Sequence, residues 1–287
     1  MKIRIGTRTS RLAQIQTNMV AQKIKAVSPE TEIEIVPVST LGDRVQEKPI
    51  GQLGTSGVFT DDIEEALRQN IIDVAVHSAK DLPAETPKGL EFVSVLPRAD
   101  YRDAIITRKG EVILNSPDFI VGTGSKRRML NAKRHYPNIT FRCIRGNVDV
   151  RLEKLDRGEY DAVILAMAGI KRLGLDNDER FDFKIFSCEE FITEPCQAII
   201  AVESRENDIV KPILEKINDQ RTYYCFETER YVLKRLNPCF TEPLGAYSQV
   251  SENKITLTVS TKDGQLLTGT EYLRNRFALA DRMVSAV

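Results

Sequence analysis

Between Val121 and Leu155 the chain reads VGTGSKRRMLNAKRHYPNITFRCIRGNVDVRLEKL, and this stretch narrows the possible folds more than any other. An apolar run breaks into Gly122-Thr123-Gly124-Ser125, small and hydroxyl residues that turn a strand into a helix and leave backbone N–H groups free to meet an anion. Arg127 and Arg128 follow in the first helical turn, where their charge opposes the helix dipole. A bound anion relieves that conflict. A second strand-like run, Ile139 to Ile144, leads to Arg145, and Gly146 begins a polar turn before a helix that carries Arg151. Four guanidinium groups thus fall at the starts and ends of neighbouring elements, where α/β folds place ligands. Guanidinium grips carboxylate or phosphate through paired hydrogen bonds, so the cluster suits a ligand with several negative groups. A solvated helix face is the alternative, and it accounts for Lys126, Lys133 and Arg134.

The pattern of a strand ending in a polar tip recurs upstream. Lys2 to Gly6 reads as a strand and Thr7-Arg8-Thr9-Ser10 as the turn at its end. Leu12, Ile15, Met19, Ile24 and Val27 then recur at roughly helical spacing until Ser28-Pro29. Ile33 to Val38 reads as the second strand of a βαβ start, so a doubly wound sheet follows. From Thr40 to Gly57 the chain is polar and broken by glycines, as a lid or a disordered segment is, and it lacks the GxxxxGK[ST] pattern of a nucleotide loop. A helix is expected from about Phe59 to Gln69. Ile71 to Val76 reads as a buried strand that delivers His77-Ser78-Ala79-Lys80-Asp81-Leu82-Pro83. A lysine, a carboxylate and a hydroxyl at such a tip can do acid–base work, and a salt bridge before a proline turn is the bland alternative. His77 reads as structural.

Ala104 to Thr107 opens another βα alternation that includes the strand Tyr160 to Met167 and ends at Gly169-Ile170-Lys171-Arg172, one more cation. Ala198 to Glu203 reads as a strand returning to the first unit, which makes a double crossover between two lobes and a cleft between them. After it come helices over Pro212 to Ile217 and Tyr224 to Leu236, then a loop with Cys239. Alternating strands joined by a hairpin turn at Lys262-Asp263-Gly264-Gln265 and a last helix complete a small α/β domain.

Lysine plus arginine total 41 and aspartate plus glutamate total 41, so no bulk attraction holds nucleic acid and any anion site is local. Five cysteines stand singly without a CxxC pair, which suits a reducing compartment, and with two histidines a zinc site or a Ser-His-Asp triad is poorly supplied. No basic-then-apolar leader follows Met1 and no apolar run is long enough to span a bilayer. A metal-free, cytoplasmic monomer is the expectation.

Taken in order, IGTRTSRLA, DVAVHSAKDLP, VGTGSKRR, IRGNVDVRLEKLDRGEYDAVILAMAGIKRLGL and the cysteine loop resemble the porphobilinogen deaminase (hydroxymethylbilane synthase) family from about residue 3 to residue 274. The resemblance implies two periplasmic-binding-protein-like α/β lobes joined by a double crossover hinge, plus a small C-terminal α/β domain. The expected division is 1–97 with 198–216, then 98–197, then 217–287. It further implies a transferase that joins four porphobilinogen units head to tail, losing ammonia each time, on a dipyrromethane cofactor held by a cysteine thioether. Arg8, Arg127, Arg128, Arg145, Arg151 and Arg172 match the family's cationic positions, and Ser10, Ser78, Lys80, Thr123 and Ser125 its supporting ones. Asp81 matches its catalytic carboxylate, and Phe59 its lid aromatic. Three departures stand out: Gln52 and Ser56 replace two lid lysines, and Cys196-Gln197-Ala198 replaces Gly-Gln-Gly at the second crossover. In the cofactor loop, Phe240 takes the cysteine's register while Cys239, the expected attachment site, stands one residue early. A catalytically impaired homologue and a two-lobe binding protein for a polycarboxylate remain the alternatives.

Overall fold

A computed structural model describes residues 1–44, 57–236, 244–261 and 263–287. Along the first half run β1 (Lys2–Thr7), α1 (Arg11–Val27), β2 (Glu32–Pro37), α2 (Leu41–Arg44), α3 (Asp61–Arg68), β3 (Val74–Ser78), a 3-10 turn (Ala79–Asp81), β4 (Leu90–Val95), β5 (Asp103–Arg108), β6 (Ile120–Gly122), α4 (Lys126–His135) and β7 (Thr140–Arg142). The second half adds α5 (Val148–Asp156), β8 (Ala162–Ala166), α6 (Met167–Arg172), β9 (Phe181–Ile185), β10 (Ile200–Arg205), α7 (Lys211–Leu214), α8 (Gln220–Leu236), β11 (Ala246–Ser251), β12 (Lys254–Ser260), β13 (Leu266–Tyr272) and α9 (Arg276–Ser285).

Two five-stranded sheets share one plan. The first has the order β2-β1-β3-β10-β4 and the second β7-β6-β8-β5-β9. In each, three parallel strands are followed by one antiparallel strand, β10 between β3 and β4, and β5 between β8 and β9. Both odd strands lie just beyond a crossover, so each sheet takes its antiparallel member from chain that has arrived from the other lobe. The sheets are therefore mixed and not purely parallel, a difference from the simplest doubly wound reading.

Each sheet is covered on both faces, which is why its central strands read as apolar runs. In the first lobe Ile3, Ile5, Val74 and Val76 pack on Val20 and Ile24 of α1, while Ala75 and Ile72 pack on Ile63 and Leu67 of α3. In the second, Ala104, Ile106 and Val163 meet Leu152 and Leu155 of α5, and Ile105, Val121 and Ile164 meet Ala132 of α4. The third unit is the three-stranded sheet β11-β12-β13 closed by α8 and α9 around Val232, Leu257, Val259 and Leu279.

Glu229 of α8, fully buried, fastens this third unit to both crossovers. Its carboxylate accepts from Arg98 (2.6 and 3.1 Å), from the Cys196 backbone N–H (2.6 Å) and from the Ser248 N–H and hydroxyl (2.7 and 2.8 Å). At the second crossover Cys196 and Ala198 take φ values of 62° and 71°, the left-handed region that favours glycine. The departure from Gly-Gln-Gly thus stores strain in the hinge. Ala198→Gly is expected to stabilise the folded protein by about 0.5–1 kcal/mol, the left-handed cost less the extra freedom of unfolded glycine, checked by thermal unfolding.

Candidate functional site

The carboxyl ends of β1 and β3 in one lobe face those of β6 and β8 in the other across a cleft of about 540 Å³. Every site residue named from the sequence that falls among the described residues lines it, from Arg8, Ser10, Phe59, Ser78, Lys80 and Asp81 on one side to Thr123, Ser125, Arg127, Arg128, Arg145, Arg151 and Arg172 on the other. Cys239 lies outside the described residues, as do Gln52 and Ser56.

The supporting hydroxyls build the walls. Ser10 caps α1 by accepting from the Ala13 N–H (3.3 Å), and Ser125 caps α4 by accepting from the Arg128 N–H (3.4 Å). The Thr123 hydroxyl accepts from the Ser125 N–H (3.2 Å), and Ser78 exchanges hydrogen bonds with Gln16 (2.9 and 3.1 Å). Gly42 is required where α2 passes the Phe59 ring, because a Cβ there would lie 2.1 Å from it. Phe59 in turn stacks under Arg8, whose guanidinium is 4.2 Å from the ring centroid and 2.5 Å from the Asp43 carboxylate.

Arg127 and Arg128 differ from the sequence expectation in an informative way. The anion that answers their conflict with the α4 dipole is internal: Asp103, fully buried at the start of β5, accepts from both (2.9 and 2.7 Å) and from Gln197 (3.1 Å). Burial pushes the Asp103 carboxyl up, but Arg128 and Arg127 overcome it and hold it at about 2. Carbonyl oxygens of Ile192 and Ile164 take a further N–H from each arginine. Both Nε atoms, with that of Arg172, are left buried without a partner among the described residues. Each such donor carries a desolvation cost.

Arg151 and Arg172 are held by backbone carbonyls. Arg151 donates its Nε–H to the Gly146 carbonyl (2.8 Å), and burial, with the charges of Arg128 and Arg145, lowers it to about 10. Arg172 donates to the Ala198 carbonyl (2.7 Å), and burial lowers it likewise to about 10. Guanidinium groups that lose basicity through burial regain it when an anion binds beside them. On the opposite wall Asp81 ends the 3-10 turn. Burial raises its carboxyl above the usual range against the opposing charges of Lys80 and Arg8, so Lys80 moderates but does not reverse the shift. Lys80 itself pairs with Glu194 (3.5 Å). His77 is buried on Glu203 (3.0 Å), in keeping with a structural role.

Sequence reasoning missed Asp43, Asp103 and Glu194. Asp103 opens a strand-like run, and an acid so placed before AIIT is a signal for a buried counter-ion. Asp43 and Glu194 sit in loop-rich stretches with no periodicity to set them apart.

A family model described as "Porphobilinogen deaminase, dipyromethane cofactor binding domain" matches residues 3–211. The chain is 41% identical over 260 residues to a porphobilinogen deaminase of Acetivibrio thermocellus, covering 90% of this chain and 87% of that one. It is 36% identical over 270 residues to that of Streptococcus sanguinis, covering 92% and 88%. A solved BvgS VFT2 domain of Bordetella pertussis is similar at a TM-score of 0.45 and 15% identity, over 79% of this chain and 92% of that one.

Proposed function

Because the chain belongs to the porphobilinogen deaminase family, we infer that its cleft joins four porphobilinogen units head to tail into linear hydroxymethylbilane, releasing one ammonia at each addition. What supports this most is the convergence of guanidinium groups from one lobe on a trough whose other wall carries Asp81. Each pyrrole unit brings an acetate and a propionate, so the growing chain needs fixed cations, and Arg8, Arg145, Arg151 and Arg172 supply them in a cleft that Arg127 and Arg128 also line.

The same donor set fits the family's dipyrromethane, a polycarboxylate, which when bound supplies the pyrrole carbon that receives the first unit. Arg128, Arg145 and Arg151 would hold its carboxylates. Attachment falls to Cys239. We assign Asp81 to the reacting centre. As ammonia leaves the aminomethyl group, positive charge spreads over the pyrrole, and a carboxylate beside the ring N–H stabilises it as it develops. That carboxyl then moves the proton released from the attacked carbon, a task suited to a group whose burial brings its pKa nearer neutrality. Lys80 orients Asp81 and limits how far its pKa climbs.

On this reading 1–97 with 198–216 and 98–197 are the two lobes, and 217–287 positions the attachment loop. Among the described residues no helix is long and apolar enough to cross a membrane. Scattered single cysteines and balanced charge suit a cytoplasmic monomer without a nucleic-acid partner. Intact mass of the purified protein is expected to exceed the sequence mass by a dipyrromethane, mapping to the Cys239 peptide and absent from Cys239→Ser. A turning-over enzyme of unmodified mass would refute the attachment.

A further inference from the structure

Among the described residues three carboxylates line the cleft, Asp43, Asp81 and Glu194. Asp43 is engaged by Arg8 at 2.5 Å, and Asp81 is assigned to the reacting centre. Glu194 has no role yet. It stands on the second crossover directly before Pro195, with its side chain 41% exposed and its Oε2 3.5 Å from Lys80 Nζ. Lys80, Asp81 and Glu194 line the same cleft, Glu194 pairs with the residue next to Asp81, and its charge acts on Asp81.

The substrate has an unmet need that this arrangement fills. Porphobilinogen carries two carboxylates and one alkylamine, which at neutral pH is an ammonium, as a lysine side chain is. A trough rich in guanidinium attracts the carboxylates and repels that ammonium. We propose that Glu194 is the ammonium subsite: its carboxylate holds the aminomethyl nitrogen beside Asp81 and keeps hold of it as it departs.

Lys80 marks the spot, since its own ammonium already sits where a carboxylate can share two cations. The opposed shifts of the two acids divide the labour. Burial raises Asp81, which can therefore carry a proton, whereas Glu194 is held down by Lys80, Arg127 and Arg128 against the desolvation that opposes them. In the step itself the carbon–nitrogen pair leaves with ammonia. The new carbon–carbon bond forms from the π pair of the terminal pyrrole, and the proton lost from that carbon passes through Asp81 to the ammonia. One ammonium enters and one leaves, so the subsite is reset after every addition.

This rests on the condensation reading above, and the experiment separates the two. Steady-state kinetics of the holoenzyme, Glu194→Gln and Glu194→Asp would be compared with porphobilinogen as substrate and, as inhibitor, the analogue bearing methyl in place of aminomethyl. The expected result is a KM raised about tenfold or more in Glu194→Gln, from the loss of one charge-assisted contact, with smaller change in Glu194→Asp. Inhibition by the methyl analogue should stay within about twofold in all three, because that ligand has no ammonium to lose. An unchanged KM overturns the proposal. So does a parallel weakening of both ligands, which would mean that Glu194 only steadies Lys80 or the crossover. Calorimetric binding of the two ligands makes the same comparison without turnover, and a wild-type protein that binds but never condenses would sink the condensation reading alone.

Discussion

Asp81→Asn is expected to fold normally and to lose turnover by about a hundred- to a thousandfold or more, the range for removing one preorganised charge-stabilising group. The amide keeps the volume of the carboxyl but cannot carry the negative charge that the electron-poor pyrrole requires, nor relay a proton. Stability moves the other way. Burial is the largest influence on this carboxyl and raises its pKa, so the native state binds the proton more tightly than the unfolded chain does. Its contribution is therefore favourable at low pH and is lost as pH rises through the folded value, leaving a buried carboxyl that costs stability relative to an unperturbed one. Asparagine removes that cost, so thermal unfolding should show an unchanged or higher midpoint while the porphobilinogen assay falls. In the wild type, the acid limb of kcat should lie above the ordinary aspartate range, since Asp81 acts ionised when charge develops. Normal turnover in the variant would remove Asp81 from the reacting centre.

The second large effect concerns stability. Asp103→Ala should destabilise the protein by about 3–5 kcal/mol, the usual result when one partner of a buried ion pair is deleted and the other charge stays behind. Here two guanidinium groups stay behind, those of Arg127 and Arg128, both nearly inaccessible. The wild-type interaction has a pH signature of its own. Asp103 is held at about 2, below its reference value of 3.8, so its contribution is complete above about 4 and is lost as pH falls through about 2. Urea unfolding at neutral pH and near pH 3 should show a narrower gap between the two proteins at the acid end, where the unfolded carboxyl already binds its proton. A loss below about 1 kcal/mol at neutral pH would mean that water replaces the carboxylate.

Local pattern made much of the architecture legible. α1 and its flanking strands were plain because Leu12, Ile15, Met19 and Ile24 keep helical spacing between two apolar runs, and these became α1, β1 and β2. The strand before Asp81 was placed early, over 71–76, whereas β3 runs Val74–Ser78, because Ile71 and Ile72 turn out to follow α3 as a connection, with Ile72 filling the space beside Gly6. β9, reading FDFKI, gave no signal, since an edge strand with one wet face is short and half polar. The direction of β5 and β10 was equally hidden, for nothing local tells a strand which way its neighbours run. At the site, the arginines could be named from their positions at element ends, but not their allegiance. Asp103 lies 24 and 25 residues from its two partners, and only the closed sheet brings them together.

The shared plan of the two sheets fixes the order in which a nascent chain can complete them. The second lobe's strands, β5 to β9, emerge from the ribosome as one unbroken block, whereas the first lobe must keep a gap between β3 and β4 until residues 200–205 have been made. The later-begun lobe therefore finishes first, and the earlier one waits with two unzipped strand edges for over a hundred residues of synthesis. Slow translation across that interval should be the moment at which this protein most needs a chaperone.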